Sequence, residues 1–302
     1  MATTTAAADQ PIVERSDPAG GQPRGRHQAD DGLIFDIGMD LCQDTDFYLA
    51  KGFRVVAVDA NPSVCDAAAR RYEAELESGQ LVIVNAAISE DREPLVFYVC
   101  KTMSAWSTAS PRLRDEKTKQ GAIFEEIEVK GVRTSDLLET YGTPYFAKID
   151  IEGFDLICLK GFRGSPAMPR YVSTEVDFYI LDEQLSCLVD LGYRRFALVN
   201  QATAPNQSPP RPAREGRDID YVFAHHASGL FGKELPAEWV DVSTVRKHCR
   251  AVISQYRASG VLRRLEALAP LKPFIQRVRN RHLPLSLDWY DLHASLGDVG
   301  VQ

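Results

Sequence analysis

Acidic side chains follow several short apolar runs of the sequence, at the points where strands of a sheet would end. Asp36 and Gly38 close the run at residues 33–38, Asp59 closes the run at 54–59, and Asp150 closes the run at 145–150. In an open parallel sheet, ligands bind beyond the carboxyl ends of the strands, where the strand order reverses. The sequence therefore predicts a binding site rich in carboxylates at that edge.

The loop after the first run, residues 38–43, restricts the kind of ligand. Gly38 permits a tight turn and a close approach by a ligand. The later glycines of the dinucleotide fingerprint Gly-x-Gly-x-x-Gly are missing, and Asp36 and Asp40 are too acidic to cradle a pyrophosphate. An acidic loop suits a ligand that carries an ammonium and a sulfonium group.

Asp59 stands about twenty residues further on, where a carboxylate can accept hydrogen bonds from both hydroxyls of a ribose. Sites for nicotinamide dinucleotides and for adenosylmethionine share this feature, so it indicates a nucleoside and leaves the reaction open. Asn61 is expected to cap the helix that begins at Pro62, which leaves Asp59 for the ligand. The small residues around Ala87 leave room for a flat adenine ring.

Charged residues alternate along the run at 145–152. Lys148, Asp150 and Glu152 are expected on one face of a strand, where buried charges are costly unless they are paired or used. Asp150 is the first candidate for a general base, and Glu175, at the end of the next strand, is the second. His225 and His226 are alternatives. Asp150 and Glu175 are also candidates for holding a divalent cation, but no third ligand is evident, so no metal site is predicted.

Bulk properties exclude several classes of protein. The chain has 302 residues and a formal net charge of −7, which argues against nucleic acid as its main partner. The six cysteines show no Cys-x-x-Cys spacing, which disfavours zinc and favours buried, reduced thiols. No apolar run is long enough to span a bilayer, and the first residues lack the pattern of a secretory signal, so we expect a cytoplasmic protein without integral membrane contact.

Alternating strand and helix patterns predict an α/β fold: a doubly wound, mostly parallel seven-stranded sheet with helices on both faces and an antiparallel last strand. We expect a disordered leader over residues 1–30, a catalytic domain over 31–227 and a helical C-terminal extension over 228–302. The predicted core strands lie at 33–37, 54–59, 81–84, 145–150, 171–176, 193–199 and 218–223, with additional strands at 95–99 and 126–132. The predicted helices lie at 62–77, 134–140, 154–161, 181–191, 243–257 and 262–279.

Two regions leave alternatives open. Residues 201–217 are rich in proline and polar residues, which fits either a lid over the site or a disordered insertion. The basic helices at 243–257 and 262–279 can bind a membrane surface, or they can pack on the core or on a second subunit, and we favour packing. They therefore offer a possible homo-oligomer interface.

Five short motifs together resemble the FkbM-type methyltransferase family over residues 34–223. The most specific is Lys-x-Asp-x-Glu-Gly, followed shortly by Leu-Lys-Gly; the motifs are Phe35–Gly38, Val58–Pro62, Asn85–Ser89, Lys148–Gly153 and Leu159–Gly161. The resemblance implies a class I methyltransferase fold of Rossmann-like type, with S-adenosyl-L-methionine as methyl donor. It also implies O-methylation of a hydroxyl on a sugar, glycolipid or polyketide-like acceptor.

The resemblance also implies roles for individual residues. The methionine end of the cofactor would lie against the first loop, the ribose on Asp59 and the adenine near Ala87, with Asp150 near the reacting methyl group. The residues expected to bind the cofactor are Asp36, Gly38, Asp40, Thr45, Asp59, Ala60, Asn61, Ala87 and Asp150, and those expected to act in catalysis are Asp150 and Glu175. Trp106, in the loop at 102–122, suits a carbohydrate or ring-bearing acceptor and equally suits a packed anchor.

One departure from the family pattern motivates a rival interpretation. Cys42 stands where members of the family generally have glycine, and a side chain there would narrow the loop. A degraded, non-catalytic binding protein on the same fold, which uses its basic C-terminal helices, is therefore an alternative. An NAD-dependent oxidoreductase is a second alternative, which the missing glycines disfavour.

Overall fold

The computed structural model describes residues 29–177, 179–266 and 290–297, and side chains within these ranges except at 256–266. The predicted leader at 1–30 and the predicted helix at 262–279 lie mostly outside the described residues. The strands are β1 (Asp30–Ile37), β2 (Arg54–Asp59), β3 (Leu81–Asn85), β4 (Ala87–Ile88), β5 (Leu95–Cys100), β6 (Phe124–Val129), β7 (Gly131–Val132), β8 (Pro144–Ile149), β9 (Tyr171–Glu175), β10 (Arg195–Asn200) and β11 (Tyr290–Ser295). The helices are α1 (Gln43–Ala50), α2 (Pro62–Arg71), α3 (Glu73–Glu77), α4 (Pro111–Thr118), α5 (Thr134–Tyr141), α6 (Asp155–Lys160), α7 (Leu181–Asp190) and α8 (Val242–Glu266).

Seven strands form one sheet in the order β3-β2-β1-β8-β9-β11-β10. The five strands from β3 to β9 are parallel, and β11 is antiparallel to both of its neighbours. The mixed α/β fold with a mostly parallel seven-stranded sheet is thus confirmed. The central strand β1 is apolar and buried at both faces, as expected of a parallel strand covered on two sides.

The chain changes direction across the sheet at β1. It runs outward through β2 and β3 and then returns to the other side of β1 as β8, so the strand order reverses between β1 and β8. Ile37 pairs with Val58 and with Ile149 in the two ladders. The residues that follow these three positions are therefore brought together at one edge of the sheet, where a crevice for ligands forms.

The predicted closing strand at 218–223 is wrong. These residues have no strand structure, and Val222 is 87% exposed. The rings of Tyr221 and Phe223 instead pack on Phe47 of α1, with ring centroids 5.0 and 4.7 Å apart. An extended segment with alternating apolar residues can pair in a sheet, or it can pack its apolar side chains on a helix. In this protein the segment packs on α1.

The antiparallel strand of the sheet is β11, which lies between β9 and β10. Its sequence, Tyr-Asp-Leu-His-Ala-Ser, has no β-branched residue, and it buries Asp291 and His293 in the sheet. Because buried polar residues interrupt its apolar pattern, the segment does not resemble a core strand in the sequence.

Helix α8 starts one residue before the predicted helix at 243–257 and continues to Glu266. Its first half packs on the core through Val245, Cys249 and Ile253, which are all buried, and it contacts β10 and α7. None of the described helices combines the length and the apolar composition needed to cross a membrane.

The helix starts agree only in part with the predicted caps. Asn61 caps α2 by accepting the backbone N–H of Ser63, as predicted. At the start of α5, Arg133 occupies the N-cap position, and the Thr134 hydroxyl donates to the carbonyl of Cys158. The predicted helix at 62–77 is divided into α2 and α3 at Tyr72.

Candidate active site

A pocket opens at the sheet edge where the strand order reverses. Many of the residues predicted to form the site line it together: Gly38, Asp40, Asp59, Ala60, Asn61, Ala87, Asp150 and Glu175. They lie at or just after the ends of β1, β2, β3, β8 and β9, so five strand ends contribute to the pocket. Asp36 and Thr45, which were also predicted to contact a cofactor, are buried and do not line the pocket.

Gly38 forms a turn that only glycine fits. Its φ is +88°, and its N–H donates to the carbonyl of Val58 at 2.8 Å. A Cβ atom at this position would lie 1.8 Å from the carbonyl oxygen of Asp150. The turn after β1 therefore rests directly on the backbone that follows β8, and both belong to one wall of the pocket.

Asp59 presents a carboxylate that is held by backbone donors. Its Oδ2 accepts the N–H of Asp40 at 3.0 Å, and its Oδ1 accepts the N–H of Asn61 at 2.8 Å. Burial raises its pKa to about 6, against the opposing effect of these hydrogen bonds. Each oxygen keeps a further lone pair, so the fixed carboxylate can accept two more donors, such as the two hydroxyls of a ribose.

An apolar slot adjoins Asp59. Small side chains leave it open at Ala60, Ala86 and Ala87, and larger apolar residues close its sides; these are Val58, Val64, Ile88 and Phe97. A slot of this kind suits a flat aromatic ring, because the ring gains dispersion contacts on its faces and displaces water from apolar surface.

Lys148 lies at the back of the pocket among three carboxylates. Its Nζ is 3.5 Å from Asp150 Oδ2, 3.6 Å from Asp36 Oδ1 and 3.7 Å from Asp44 Oδ2. Burial alone would lower the pKa of Lys148, but these carboxylates raise it well above its ordinary value. Two of the three charges predicted for this strand, Lys148 and Asp150, are thus paired with each other.

Asp36 and Thr45 lie beneath the glycine turn instead of facing the pocket. The Thr45 hydroxyl donates to Asp36 Oδ2 at 2.5 Å, and burial raises the pKa of Asp36 to about 6. Asp36 is connected to the pocket wall by its ion pair with Lys148, and Thr45 is hydrogen-bonded to Asp36. The strand pattern in the sequence did not reveal this connection.

Glu152 and Glu175 add two acidic side chains to the pocket wall. Burial raises the pKa of Glu152 to about 8, and burial together with the charges of Glu152 and Asp150 raises the pKa of Glu175 well above its ordinary value. Glu152 therefore holds a proton near neutral pH and can donate a hydrogen bond, and the pKa of Glu175 is displaced in the same direction. This state fits a donor better than a general base.

Several lining residues escaped the sequence analysis. Gln43 and Asp44 come from α1, and Gln201 comes from the segment after β10, where its Nε2 donates to Asp291 Oδ1 at 2.7 Å. His226 also lines the pocket, whereas its neighbour His225 does not. Their place in the sequence, directly after the glycine turn, is the signal that could have found Gln43 and Asp44.

Cys42 does not narrow the pocket. It adopts a left-handed backbone with φ of 65°, but its side chain is buried in the apolar core beside α1 and is absent from the pocket wall. Among the described residues, no group of three or more His, Cys, Asp or Glu side chains has the arrangement of a metal site.

The loop at 102–122 covers the pocket with its backbone turn at Ser104–Trp106. Ser104, Ala105 and Ser107 line the pocket, whereas Trp106 faces Lys117, whose Nζ lies 4.4 Å from the ring centroid. Trp106 therefore acts as an anchor of the loop rather than as part of the pocket wall.

The segment at 201–217 is packed against the domain. Ala204 and Glu215 are buried, and the N–H of Arg217 donates to the carbonyl of Lys51 at 2.9 Å. Gln201 at its start lines the pocket. The segment thus contributes to one wall of the site at the end that leaves β10.

Comparison with known proteins agrees with this geometry. The family model of the methyltransferase FkbM domain matches residues 21–195, which is more than half of the chain. None of the curated proteins compared with the chain matches it. The glycine turn at Gly38, the carboxylate of Asp59 and the residues after β8 all lie inside the matched range. The chain therefore belongs to the FkbM methyltransferase family.

Proposed function

We propose that the protein is an S-adenosyl-L-methionine-dependent methyltransferase that methylates a hydroxyl oxygen of a sugar, glycolipid or polyketide-like acceptor. The observation that carries the proposal is the convergence of Gly38, Asp59 and Asp150 on one pocket where the strand order reverses. The family supports methyl transfer, and the fit of the pocket to the cofactor supports the choice of donor.

The described pocket residues suit the cofactor at three points. Asp59 would hold the ribose, the slot at Ala60 and Ala87 would take the adenine, and the turn at Gly38 and Asp40 would receive the methionine end. The pocket is rich in carboxylates, which favours a ligand with a sulfonium and an ammonium group. When bound, S-adenosyl-L-methionine supplies a methyl group on a positively charged sulfur.

Asp150 is the residue that we assign to the acceptor hydroxyl. Its side chain is about one third exposed to the pocket, and its Oδ2 lies 3.5 Å from Lys148 Nζ. A carboxylate there can orient the hydroxyl toward the methyl group and accept its proton as the oxygen attacks. Glu175, whose pKa burial raises well above its ordinary value, would instead donate a hydrogen bond to the acceptor.

The charge of the pocket restricts the acceptor. Among the described residues of the wall, Lys148 and His226 are the cationic or basic side chains, and Lys148 is already occupied by carboxylates. A phosphate or carboxylate on the acceptor would meet the carboxylate of Asp150, and the described wall offers no free lysine or arginine to compensate it. We therefore favour an uncharged, polyhydroxylated acceptor.

Transfer of a labelled methyl group from the cofactor into a cell extract tests this function. We expect labelled products that carry a methyl ether. We expect the Asp150→Asn variant to transfer at least about a hundredfold more slowly and to bind S-adenosylhomocysteine within a few-fold of the wild type in calorimetry.

Asp190→Asn is the matched control, because Asp190 is an exposed carboxylate far from the pocket that pairs only with Arg163, and it should transfer at the wild-type rate. Full activity of Asp150→Asn would remove Asp150 from the mechanism. A wild-type protein that binds NAD and not S-adenosylhomocysteine would overturn the choice of cofactor.

A further inference from the structure

Lys148 contacts three separate parts of the site with one ammonium group. Its Nζ donates to the carbonyl of Gly38 at 2.8 Å and lies 3.5 Å from Asp150 Oδ2 and 3.7 Å from Asp44 Oδ2. Gly38 belongs to the turn after β1, Asp150 follows β8, and Asp44 belongs to α1. The position of this ammonium therefore depends on, and restrains, all three elements.

The register between β1 and β8 fixes the position of Lys148 in the sheet. Lys148 on β8 is the ladder partner of Asp36 on β1, and Lys148 is 5% exposed. The side chain is buried, and its ammonium ends at the carbonyl of the glycine turn. A buried ammonium in this place is tolerated because three carboxylates surround it.

A second connection leads from Asp44 to the opposite wall of the pocket. Asp44 Oδ1 accepts the N–H of Ser228 at 2.8 Å, and its Oδ2 accepts the Ser228 hydroxyl at 2.9 Å. Two residues earlier, His226 lines the pocket with a left-handed backbone at φ of 69°. The course of this segment over the pocket is thus tied to the same carboxylate that faces Lys148.

We propose that Lys148 is a positioning residue, which holds the glycine turn, the Asp150 carboxylate and, through Asp44, the segment that carries His226 in one geometry. This inference rests on the proposed function of the same pocket. A buried ion pair with a purely structural role would contribute only to the free energy of unfolding, whereas a positioning residue also sets the affinity for the cofactor and its pH dependence.

Calorimetry with S-adenosylhomocysteine separates these two roles. In Lys148→Met the Gly38 carbonyl loses its charged donor, and we expect the Kd to rise at least about tenfold. Lys148→Arg keeps the charge, and we expect it to fold as the wild type does and to show a smaller rise, because a planar guanidinium cannot reproduce the single contact to Gly38. Lys148→Arg thus keeps the test valid even if Lys148→Met does not fold.

The pH dependence of the affinity for S-adenosylhomocysteine is a measurement that a purely structural role of Lys148 would leave unchanged. The charged groups around the ammonium are Asp36 of β1, Asp44 of α1, Asp150 after β8 and Asp291 of β11. Without Lys148, Asp36, Asp44 and Asp291 lose the counter-charge that lowers their pKa, so they take up protons at higher pH. We therefore expect the loss of S-adenosylhomocysteine affinity on acidification to begin at higher pH in Lys148→Met.

Lys51 provides the matched control. It is the other fully buried lysine described here, and its Nζ pairs with Glu234 Oε1 at 2.8 Å away from the pocket. Lys51→Met should lower the free energy of unfolding and leave the Kd and its pH profile unchanged. Wild-type affinity and an unshifted profile in Lys148→Met would overturn the inference, as would wild-type affinity in Lys148→Arg where Lys148→Met does not fold. A wild-type protein that does not bind S-adenosylhomocysteine would instead refute the proposed function.

Discussion

Replacing Gly38 by alanine probes the close contact between the turn after β1 and the backbone after β8. Two costs arise in this variant. Alanine must adopt a φ of +88°, and its Cβ would lie 1.8 Å from the carbonyl oxygen and 2.8 Å from the carbonyl carbon of Asp150. Backbone atoms cannot yield as the end of a flexible side chain can, so the turn and the residue after β8 must move apart.

The two costs have different sizes. A left-handed backbone costs a non-glycine residue about 1–2 kcal/mol, and overpacking of this kind costs about 1–3 kcal/mol more. We therefore expect Gly38→Ala to lower the free energy of unfolding by about 2–5 kcal/mol, a large part of the stability of an ordinary domain. The shift of Asp150 should also weaken the binding of S-adenosylhomocysteine by at least about tenfold.

Gly79 offers a control that shares only the first cost. Its φ is +74°, and a Cβ atom there would meet nothing within 4 Å. Urea denaturation should therefore show a loss of only about 1–2 kcal/mol for Gly79→Ala, with unchanged affinity in calorimetry. If both variants lose the same stability and Gly38→Ala binds S-adenosylhomocysteine like the wild type, the contact between the turn and Asp150 does not shape the pocket.

Three further predictions concern single side chains. Burial raises the pKa of Asp59 to about 6, so the affinity for S-adenosylhomocysteine should fall as the pH drops through about 6, and Asp59→Asn should bind roughly tenfold more weakly without this fall. Burial raises the pKa of Glu152 from 4.5 to about 8. Between pH 4.5 and about 8 the folded state therefore binds more protons than the unfolded state. The wild type should lose stability as the pH rises through this range. Glu152→Gln should therefore be more stable than the wild type by about 1–3 kcal/mol near pH 8 and equally stable near pH 4 in urea denaturation. Cys42→Gly should leave the Kd for S-adenosylhomocysteine within about twofold, because the thiol lies outside the pocket. In the free energy of unfolding, the relief of about 1–2 kcal/mol of backbone strain is offset by the lost burial of the sulfur.

Matched substitutions on the surface serve as controls for these predictions. Asp66→Asn changes an exposed carboxylate of α2, and Glu77→Gln changes an exposed one of α3. A cofactor affinity of Asp59→Asn that varies with pH as in the wild type would show that another group titrates. A stability difference between Glu152→Gln and wild type that is the same at both pH values would contradict the assigned protonation of Glu152, and a large gain of affinity in Cys42→Gly would restore the degraded-site alternative.

The parallel part of the fold could be predicted from the sequence because its strands are buried on both faces. The β-branched run at 54–59 coincides with β2, and each of the other parallel strands lies within a few residues of its predicted range. Helix α1 and strand β11 were missed for a shared reason. Both contain acidic and polar residues at positions that become buried only through contacts with distant parts of the chain, such as Asp44 with Ser228 and Asp291 with Gln201.

The site was predictable to the extent that strand ends determine it. Gly38, Asp59 and Asp150 follow paired strands, so elementary sheet geometry brings them to one pocket. Asp36 also lies on β1, but its neighbour across the ladder is Lys148, and the ion pair between them turns its carboxylate into the interior. Whether a charge on a strand faces a ligand or a counter-charge depends on a partner that is distant in the sequence, so no local pattern can decide it.

The late position of β11 in the chain has a consequence for biogenesis. Residues 290–295 separate β10 from β9, so β10 has no strand partner in the sheet until they arrive. While a ribosome is still translating the preceding residues, β9 exposes an unpaired edge, which is a template for association with another nascent chain. That edge is covered only once residues 290–295 have been added and paired with β9 and β10.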